Sequence, residues 1–461
     1  METPSYLVET YYNTDTQETR TSSNSQDYAQ TGEIIVDTYF INQFDAGQTL
    51  MTISTEGVYT GSDFSGQILD FSRGRVLAKD SDETLSESVP VFVNNAQDVL
   101  ITSDGFDGGH ELNILIRKPD SLSEADLDGA WTIGTATIPA VLYESYYNSD
   151  SDSNRSATND DFAQNGEQLV DLHRSSEFES FWGGLTISSG SFSGLFSGSI
   201  TPSSLMAIVT PDDEDASPMT FSINQNKDVM VYTDTDEDSE SIELVILARK
   251  PSTLNLADLE GTWRVASLLI PVELKESYYN SDSGVSRTGD INDFATTGEQ
   301  FVDIYYTSEF ETEQGSMEID ASGNATGLIA GAFTVESDNT LTFTDSEGSA
   351  PVFINASKNF AYNISLDSQE MNIHVLTKVS SNIPDTFEEK VDVRLVEVDG
   401  ETVITLNGGD NLKVVESSTL GDSPTTWSEV DSPQGTSIVT PSTSGQSAKF
   451  YSVTPRTDET D

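Results

Sequence analysis

The sequence predicts an all-β fold: three tandem units of about 130 residues, each a β-barrel or β-sandwich, then a small C-terminal β module. Three observations carry this. A Glu-x-Tyr-Tyr-Asn segment recurs at Glu9–Asn13, Glu144–Asn148 and Glu276–Asn280, its first tyrosines 135 and then 132 residues apart. Short apolar runs such as Gln168–Leu172, Leu185–Ser188 and Val229–Tyr232 alternate with Gly, Ser, Asn and Asp clusters, the spacing of strands and turns. Beyond one connector turn, no stretch sustains a helical apolar period. Solenoid and propeller-blade repeats run about 20–50 residues, so each unit here is the size of a domain.

The elements follow in register. After the tyrosine pair, an Arg stands nine positions on (Arg20, Arg155, Arg287). Next come Asp27-Tyr28-Ala29, Asp161-Phe162-Ala163 and Asp293-Phe294-Ala295. Gly32-Glu33, Gly166-Glu167 and Gly298-Glu299 open a strand that ends in Val-Asp at Asp37, Asp171 and Asp303. Later, Phe92-Val-Asn94, Phe221-Ser-Ile-Asn224 and Phe353-Ile-Asn355 correspond, and each unit closes on an apolar strand: Leu112–Lys118, Leu244–Lys250 and Ile373–Lys378. This places unit one at 1–120, unit two at 121–251 and unit three at 252–381. The connectors Ser123–Leu127 and Asn255–Leu259 read as single helical turns. Units two and three open on apolar strands, Trp131–Ile138 and Trp263–Ile270, leading into Pro139 and Pro271. In unit one the matching proline is Pro4, so that unit is expected to lack its first strand. A sheet without a strand exposes unpaired backbone, a template for head-to-tail strand donation between copies.

Residues 387–455 read as a separate small β module, with strands at Val391–Val398, Thr402–Leu406 and Leu412–Glu416, and 456–461 as a polar tail. The run Glu416–Leu420, Trp427–Val430 and Lys449–Val453 resembles the terminal β modules of bacterial secreted tandem-repeat proteins, which close on a Phe-Tyr-Arg-Val-like strand. Here Ser452 stands in place of the Arg. The openings Asp126-Leu127-Asp-Gly129-Ala-Trp131 and Asp258-Leu259-Glu-Gly261-Thr-Trp263 resemble lipocalin-like (calycin) barrels. That resemblance implies a late basic side chain packed on each Trp, which Arg249-Lys250 and Lys378 are spaced to supply. A Trp that simply plugs the end of a β core fits the same residues.

Composition excludes several classes. With 21 Lys+Arg against 78 Asp+Glu the formal charge is −57. Nucleic acid is not an expected partner, since phosphate binding runs on clustered basic residues. No apolar run approaches the roughly 18–20 residues of a membrane span. Cysteine is absent, which removes disulfides and thiolate metal sites. The acidity is spread along the chain, as in secreted proteins of saline habitats, and keeps the surface hydrated. Met1–Pro4 shows neither the basic nor the apolar region of a signal peptide. The Gly/Ser/Thr/Asn/Asp-rich strands point to an extracellular or cell-surface address.

The candidate site residues lie in the loop after each tyrosine pair. Asn148, Asp150 and Asp152 alternate oxygen-bearing side chains, a pattern that could serve Ca²⁺, which takes about 6–8 oxygen ligands. The equivalents are Asn13 and Asp15, and Asn280 and Asp282. The same residues also favour turns without any metal. The tyrosine pairs invite sugar stacking, but neighbours on a strand face opposite ways, so one of each pair belongs to the core. His110, His173 and His374 sit at non-equivalent positions and build no recurring catalytic site. The expected function is non-catalytic: an extracellular structural or adhesive protein, with copies of itself, a matrix or a glycan as partner, possible calcium stabilisation and possible assembly into filaments. A carbohydrate-active enzyme or its accessory carbohydrate-binding region is the alternative, and a lipocalin-like small-ligand carrier a third.

Overall fold

The structure is a computed structural model that describes residues 1–22, 29–54, 57–62, 64–72, 75–80, 89–106, 108–148, 150–158, 163–164, 167–213, 216–236, 240–291, 293–296, 298–346 and 348–379, and six strands between 392 and 455. It is all-β and divides into two compact units, Met1–Ser381 and Asn382–Asp461. The three sequence repeats therefore share one body.

Each repeat is an eight-stranded sheet with a three-stranded sheet inserted after its first strand. In repeat two, Gly129–Pro139 pairs on one side with Glu179–Ser188 and on the other with Ser241–Arg249, closing a barrel. In repeat three, Gly261–Pro271 does the same between Glu311–Ile319 and Glu370–Lys378. Apolar residues along these first strands are buried on both faces, because one face fills the barrel and the other packs on the neighbouring repeat. The connectors are a helical turn Glu124–Leu127 behind Ser123 and a 3₁₀ turn Leu256–Asp258 behind Asn255, as the sequence predicts. Both carry a capping box, which satisfies amides that a single turn leaves orphaned.

Repeat one differs. Glu2–Pro4 pairs with Gly109–Glu111 as Thr137–Pro139 pairs with Ser241–Glu243, and Glu2 bridges to Asp45. The first strand is thus present for its last residues and not wholly missing. The hydrogen bonding runs on to Met1, whose amine donates to the Leu112 carbonyl at 3.1 Å. Among the described residues this eight-stranded sheet runs from Glu2–Pro4 to Thr52–Ile53 without closing.

The inserted sheets are Leu7–Asn13 with Thr19–Ser22 and Glu33–Phe40, then Leu142–Asn148 with Ser153–Thr158 and Glu167–Arg174, then Leu274–Asn280 with Val285–Asp290 and Glu299–Tyr306. All three carry a β-bulge at the same place, which leaves Val36, Val170 and Val302 out of the ladder. A bulge frees a backbone group to point elsewhere. Here each freed carbonyl accepts an amide from the next repeat: Ala163 to Val36 at 3.0 Å, Ala295 to Val170 at 3.1 Å, Ala29 to Val302 at 2.9 Å. The pattern runs from two to one, from three to two, and from one to three. That is a closed ring with pseudo-threefold symmetry. One hydrophobic core, with Tyr11, Tyr146, Tyr278, Ile138 and Ile270 among its members, draws on all three repeats, while the barrels of repeats two and three keep separate interiors.

In the C-terminal unit, Asp392–Val398, Glu401–Asn407 and Ser437–Thr440 form one sheet, and Leu412–Ser417, Ser428–Glu429 and Phe450–Pro455 another. The strand expectations for this module hold, and its tail at 456–461 lies outside the described residues.

Candidate functional site

The recurring motif residues meet where the inserted sheets converge. Tyr11, Tyr146 and Tyr278 are fully buried, whereas Tyr12, Tyr147 and Tyr279 stay partly or largely exposed, as strand alternation requires. Over each buried ring lies the repeat's Arg: Arg20 at 4.1 Å, Arg155 at 4.5 Å and Arg287 at 4.0 Å. Each guanidinium is held from the other side by the Glu of the Gly-Glu pair, Glu33 and Glu167 at 2.8 and 2.9 Å, and Glu299 at 2.9 Å. The same carboxylates accept the amides of Gln30, Gln164 and Thr296. The Arg hydrogen bonds hold Glu33 and Glu167 below the usual carboxylate range and Glu299 at about 2. The nine-residue spacing from Tyr to Arg is thereby explained: the hairpin returns the Arg opposite the Tyr.

Two residues before each Tyr stands a buried Glu. Tyr11 donates to Glu9, Tyr146 to Glu144 at 2.6 Å, and Tyr278 to Glu276. The other side of each carboxyl reaches into the neighbouring repeat. Glu144 accepts both the amide and the hydroxyl of Thr38 at 2.7 Å, and Glu9 accepts the Ile304 amide at 2.7 Å. Glu276 faces the Leu172 amide. Asp37, Asp171 and Asp303, the last residues of the Val-Asp pairs, are buried beside them. Burial pushes the Glu144 carboxyl up to about 8, with Asp37 adding repulsion, and Glu276 to about 8, with Asp171 and Asp293 adding theirs. Burial raises Asp171 as well. The buried tyrosines go up for the same reason, reinforced by their Glu partners.

A second set of junction contacts is built on the Phe-x-(x)-Asn motif. Asn94, Asn224 and Asn355 each cap a turn by accepting the amides four and five residues on. The turn's fourth residue sits in left-handed backbone at Gln97, Lys227 and Lys358. Asp98 then accepts the Asn226 amide of repeat two at 3.2 Å, and Asp228 accepts the Ser357 amide of repeat three at 2.9 Å. The third equivalent is Asn359, which adds no third charge where Asp98 and Asp228 already repel.

The predicted calcium-loop residues are hairpin turns. The Asn13 oxygen accepts the amides of Asp15 and Thr16, Asn148 those of Asp150 and Ser151, and Asn280 those of Asp282 and Ser283, all within 2.9–3.1 Å. These are Asx turns, and they commit the Asn oxygens to backbone. Asp152 lies in left-handed backbone and accepts the Tyr147 hydroxyl. Gly32 and Gly298 are required nearby, with φ of +86° and +85°; a Cβ there would press on Asp15 and Asp282. Among the described residues no group of three or more His, Asp or Glu is placed to hold a metal ion.

The barrels place Trp131 and Trp263 as fully buried plugs whose indoles donate to the Leu127 and Leu259 carbonyls. Arg249 lies 4.6 Å over Trp131 and also caps the Asp126 and Asp128 carbonyls, while Lys378 lies 5.8 Å over Trp263 and caps that of Asp258. The side-chain packing that the Gly-x-Trp resemblance implies is therefore present. The interiors are filled by apolar side chains and leave no more room than about one water. The histidines are dispersed: His374 is bonded to Ser267, His173 stacks on Tyr143, and His110 lies 3.3 Å from Thr312.

Sequence reasoning marked Glu-x-Tyr and Val-Asp as repeat signals without giving them a role, because their partners lie in another repeat. Buried carboxyls in a strand otherwise apolar on that face were the available signal. Comparison with known proteins finds no matching family model, curated protein or solved structure.

Proposed function

We propose that this chain is a non-catalytic structural or adhesive protein of the extracellular space, which presents acidic β surfaces to a matrix, a glycan or other copies. One observation chiefly supports this reading. The Glu of Glu-x-Tyr and the bulge carbonyl of Val-Asp are engaged in locking three repeats into a ring, Arg and Gly-Glu brace the buried Tyr within each repeat, and the two closed barrels are filled by apolar side chains. A carrier would need an open interior, and catalysis a cleft with convergent polar groups. The test is a polysaccharide panel scored for depletion and for binding, run beside light scattering of the purified chain. Binding or assembly without depletion supports the reading; turnover of any polymer overturns it.

The accessory carbohydrate-binding reading draws on a different feature. Phe181 and Trp182 are 53% and 56% exposed in repeat two, where repeat three has Glu313 and Gln314 in register, and Leu195 is exposed beside Gly183. Exposed aromatic faces of this kind stack on sugars. Trp182 also packs 5.9 Å from the buried Phe353 ring of repeat three, so loss of glycan binding in Phe181→Ala with an unchanged melting temperature would favour this second reading.

A further inference from the structure

We propose that the mouth of the second barrel binds a cationic glycan, an oligomer of amino sugars with free amines, laid across its rim. This rests on the accessory carbohydrate-binding reading and adds the charge of the ligand. Cross-strand partners share a face of the sheet, so the inward side chains of a barrel stack in layers. Register gives those layers for repeat two. Trp131 with Leu185 forms the plugged end, and Ile133 with Gly183 and Leu247 lies above it. The third layer is Phe181, Thr135, Val245 and Tyr232, and the fourth is Glu179, Thr137, Glu243 and Asp234.

Burial falls away along this series. Trp131 and Ile133 are fully buried, Thr135, Thr137 and Tyr232 are half-buried, and Phe181 is 53% exposed. Leu195, 48% exposed, lies over Gly183, whose missing side chain leaves it room. Trp182, on the opposite face of the same strand, packs on Phe353 and takes no part. The mouth is thus an exposed apolar floor with hydroxyls beside it and carboxylates above.

The floor and the rim together choose the occupant. An exposed Phe ring beside the Thr135 and Tyr232 hydroxyls suits the C–H face and the hydroxyls of a sugar ring, while the filled interior below holds any ligand at the surface. The rim sets the charge. Glu179 and Asp234 are exposed and Glu243 is half-buried, on strands that lie roughly 5 Å from their neighbours. None of the third- and fourth-layer positions carries a basic side chain, and the whole chain stands at −57. A neutral ligand would desolvate these carboxylates without offering them a partner, whereas ammonium groups complement them. An ammonium over the Phe181 face gains a cation–π contact as well. In repeat three Glu313 and Asn363 stand where repeat two has Phe181 and Tyr232, so the aromatic floor is particular to repeat two and one site per chain is expected.

The test titrates the full chain with a β-1,4-linked glucosamine tetramer and with its fully N-acetylated counterpart, which share a backbone and differ in charge. The charged tetramer should bind one to one, about tenfold or more tighter than the acetylated one, and salt should weaken it. Phe181→Ala should weaken binding severalfold and Phe181→Tyr should restore it, with melting temperatures unchanged. Glu179→Gln combined with Asp234→Asn should bring the charged tetramer down to the affinity of the acetylated one. Asp120→Asn combined with Glu124→Gln, which removes as many charges near the plugged end, should leave it unchanged. Equal affinity for the two tetramers, both dependent on Phe181, would overturn the cationic assignment and leave the carbohydrate reading standing. Binding of neither tetramer would overturn both. Binding of the charged tetramer that ignores Phe181 and the rim pair would show diffuse attraction to an acidic surface and overturn the site.

Discussion

Glu144 shows how one side chain can set a pH dependence for the molecule. Its carboxyl is held at about 8 by burial against an ordinary value of 4.5, and Glu276 likewise. A raised carboxyl binds its proton more tightly in the folded state. Stability from these two groups is therefore full below about pH 4.5 and is lost as pH rises toward about 8, each with a slope approaching about 1.4 kcal/mol per pH unit. The Arg-held Glu33, Glu167 and Glu299 act oppositely, contributing above their unfolded pKa and losing that contribution in acid. Glu144→Gln should flatten the alkaline limb. Its amide oxygen can still accept from Thr38, and its NH₂ can donate to Tyr146, whose hydroxyl turns to the Val36 carbonyl 3.1 Å away. Urea melts at pH 5 and pH 9 would check this; an unchanged difference between them would refute it. The sequence held these residues in plain view as repeat markers. Their role was not legible because periodicity reports what recurs within a repeat, whereas Thr38 and Ile304 reach their acceptors from 106 and 295 residues away.

Strands, turns and connectors were the legible level. The alternation of apolar runs with Asx and Gly clusters gives the strands, Pro139 and Pro271 mark where the first strands end, and Ser123 and Asn255 announce the connector turns. What the pattern could not distinguish was a cation loop from an Asx hairpin, since both use Asn and Asp at alternate positions. The Asn oxygens accept backbone amides, which an Asx hairpin requires and a cation loop also allows. Asn148→Ala removes an acceptor for two amides and should cost about 1 kcal/mol, the same with calcium as with chelator. A melting shift that appears only with calcium and vanishes in Asp150→Ala would instead assign a cation to the loop. At the barrel plug, Arg249→Met keeps apolar cover over Trp131 but leaves the Asp126 and Asp128 carbonyls without their guanidinium donor. A loss of about 2 kcal/mol in chemical denaturation is expected, from bonds made to a charged donor.

The whole molecule is governed by two opposing facts: a net charge of −57 and a single core shared by three repeats. Spread negative charge disfavours the compact state, so screening should stabilise it, and the melting temperature should rise between low salt and about 1 M NaCl. A flat or falling melt would refute this. The shared core makes a sharper demand. Each junction is closed by the same contacts, a bulge carbonyl taking an Ala amide and, at Glu144 and Glu9, a buried carboxyl taking a strand amide, and the chain of contacts returns from repeat one to repeat three. Breaking one junction opens the ring and exposes a core that all three repeats share. Tandem units in a line would unfold one at a time, with terms roughly additive between neighbours; a ring around one core should unfold as a unit. Hydrogen exchange at Leu7–Asn13, Leu142–Asn148 and Leu274–Asn280 should then report one common opening free energy. Glu144→Ala, which removes the acceptor for Thr38 at one junction only, should lower that value equally in all three strands. Faster exchange confined to repeats one and two would show that the repeats open singly, with repeat three standing without them.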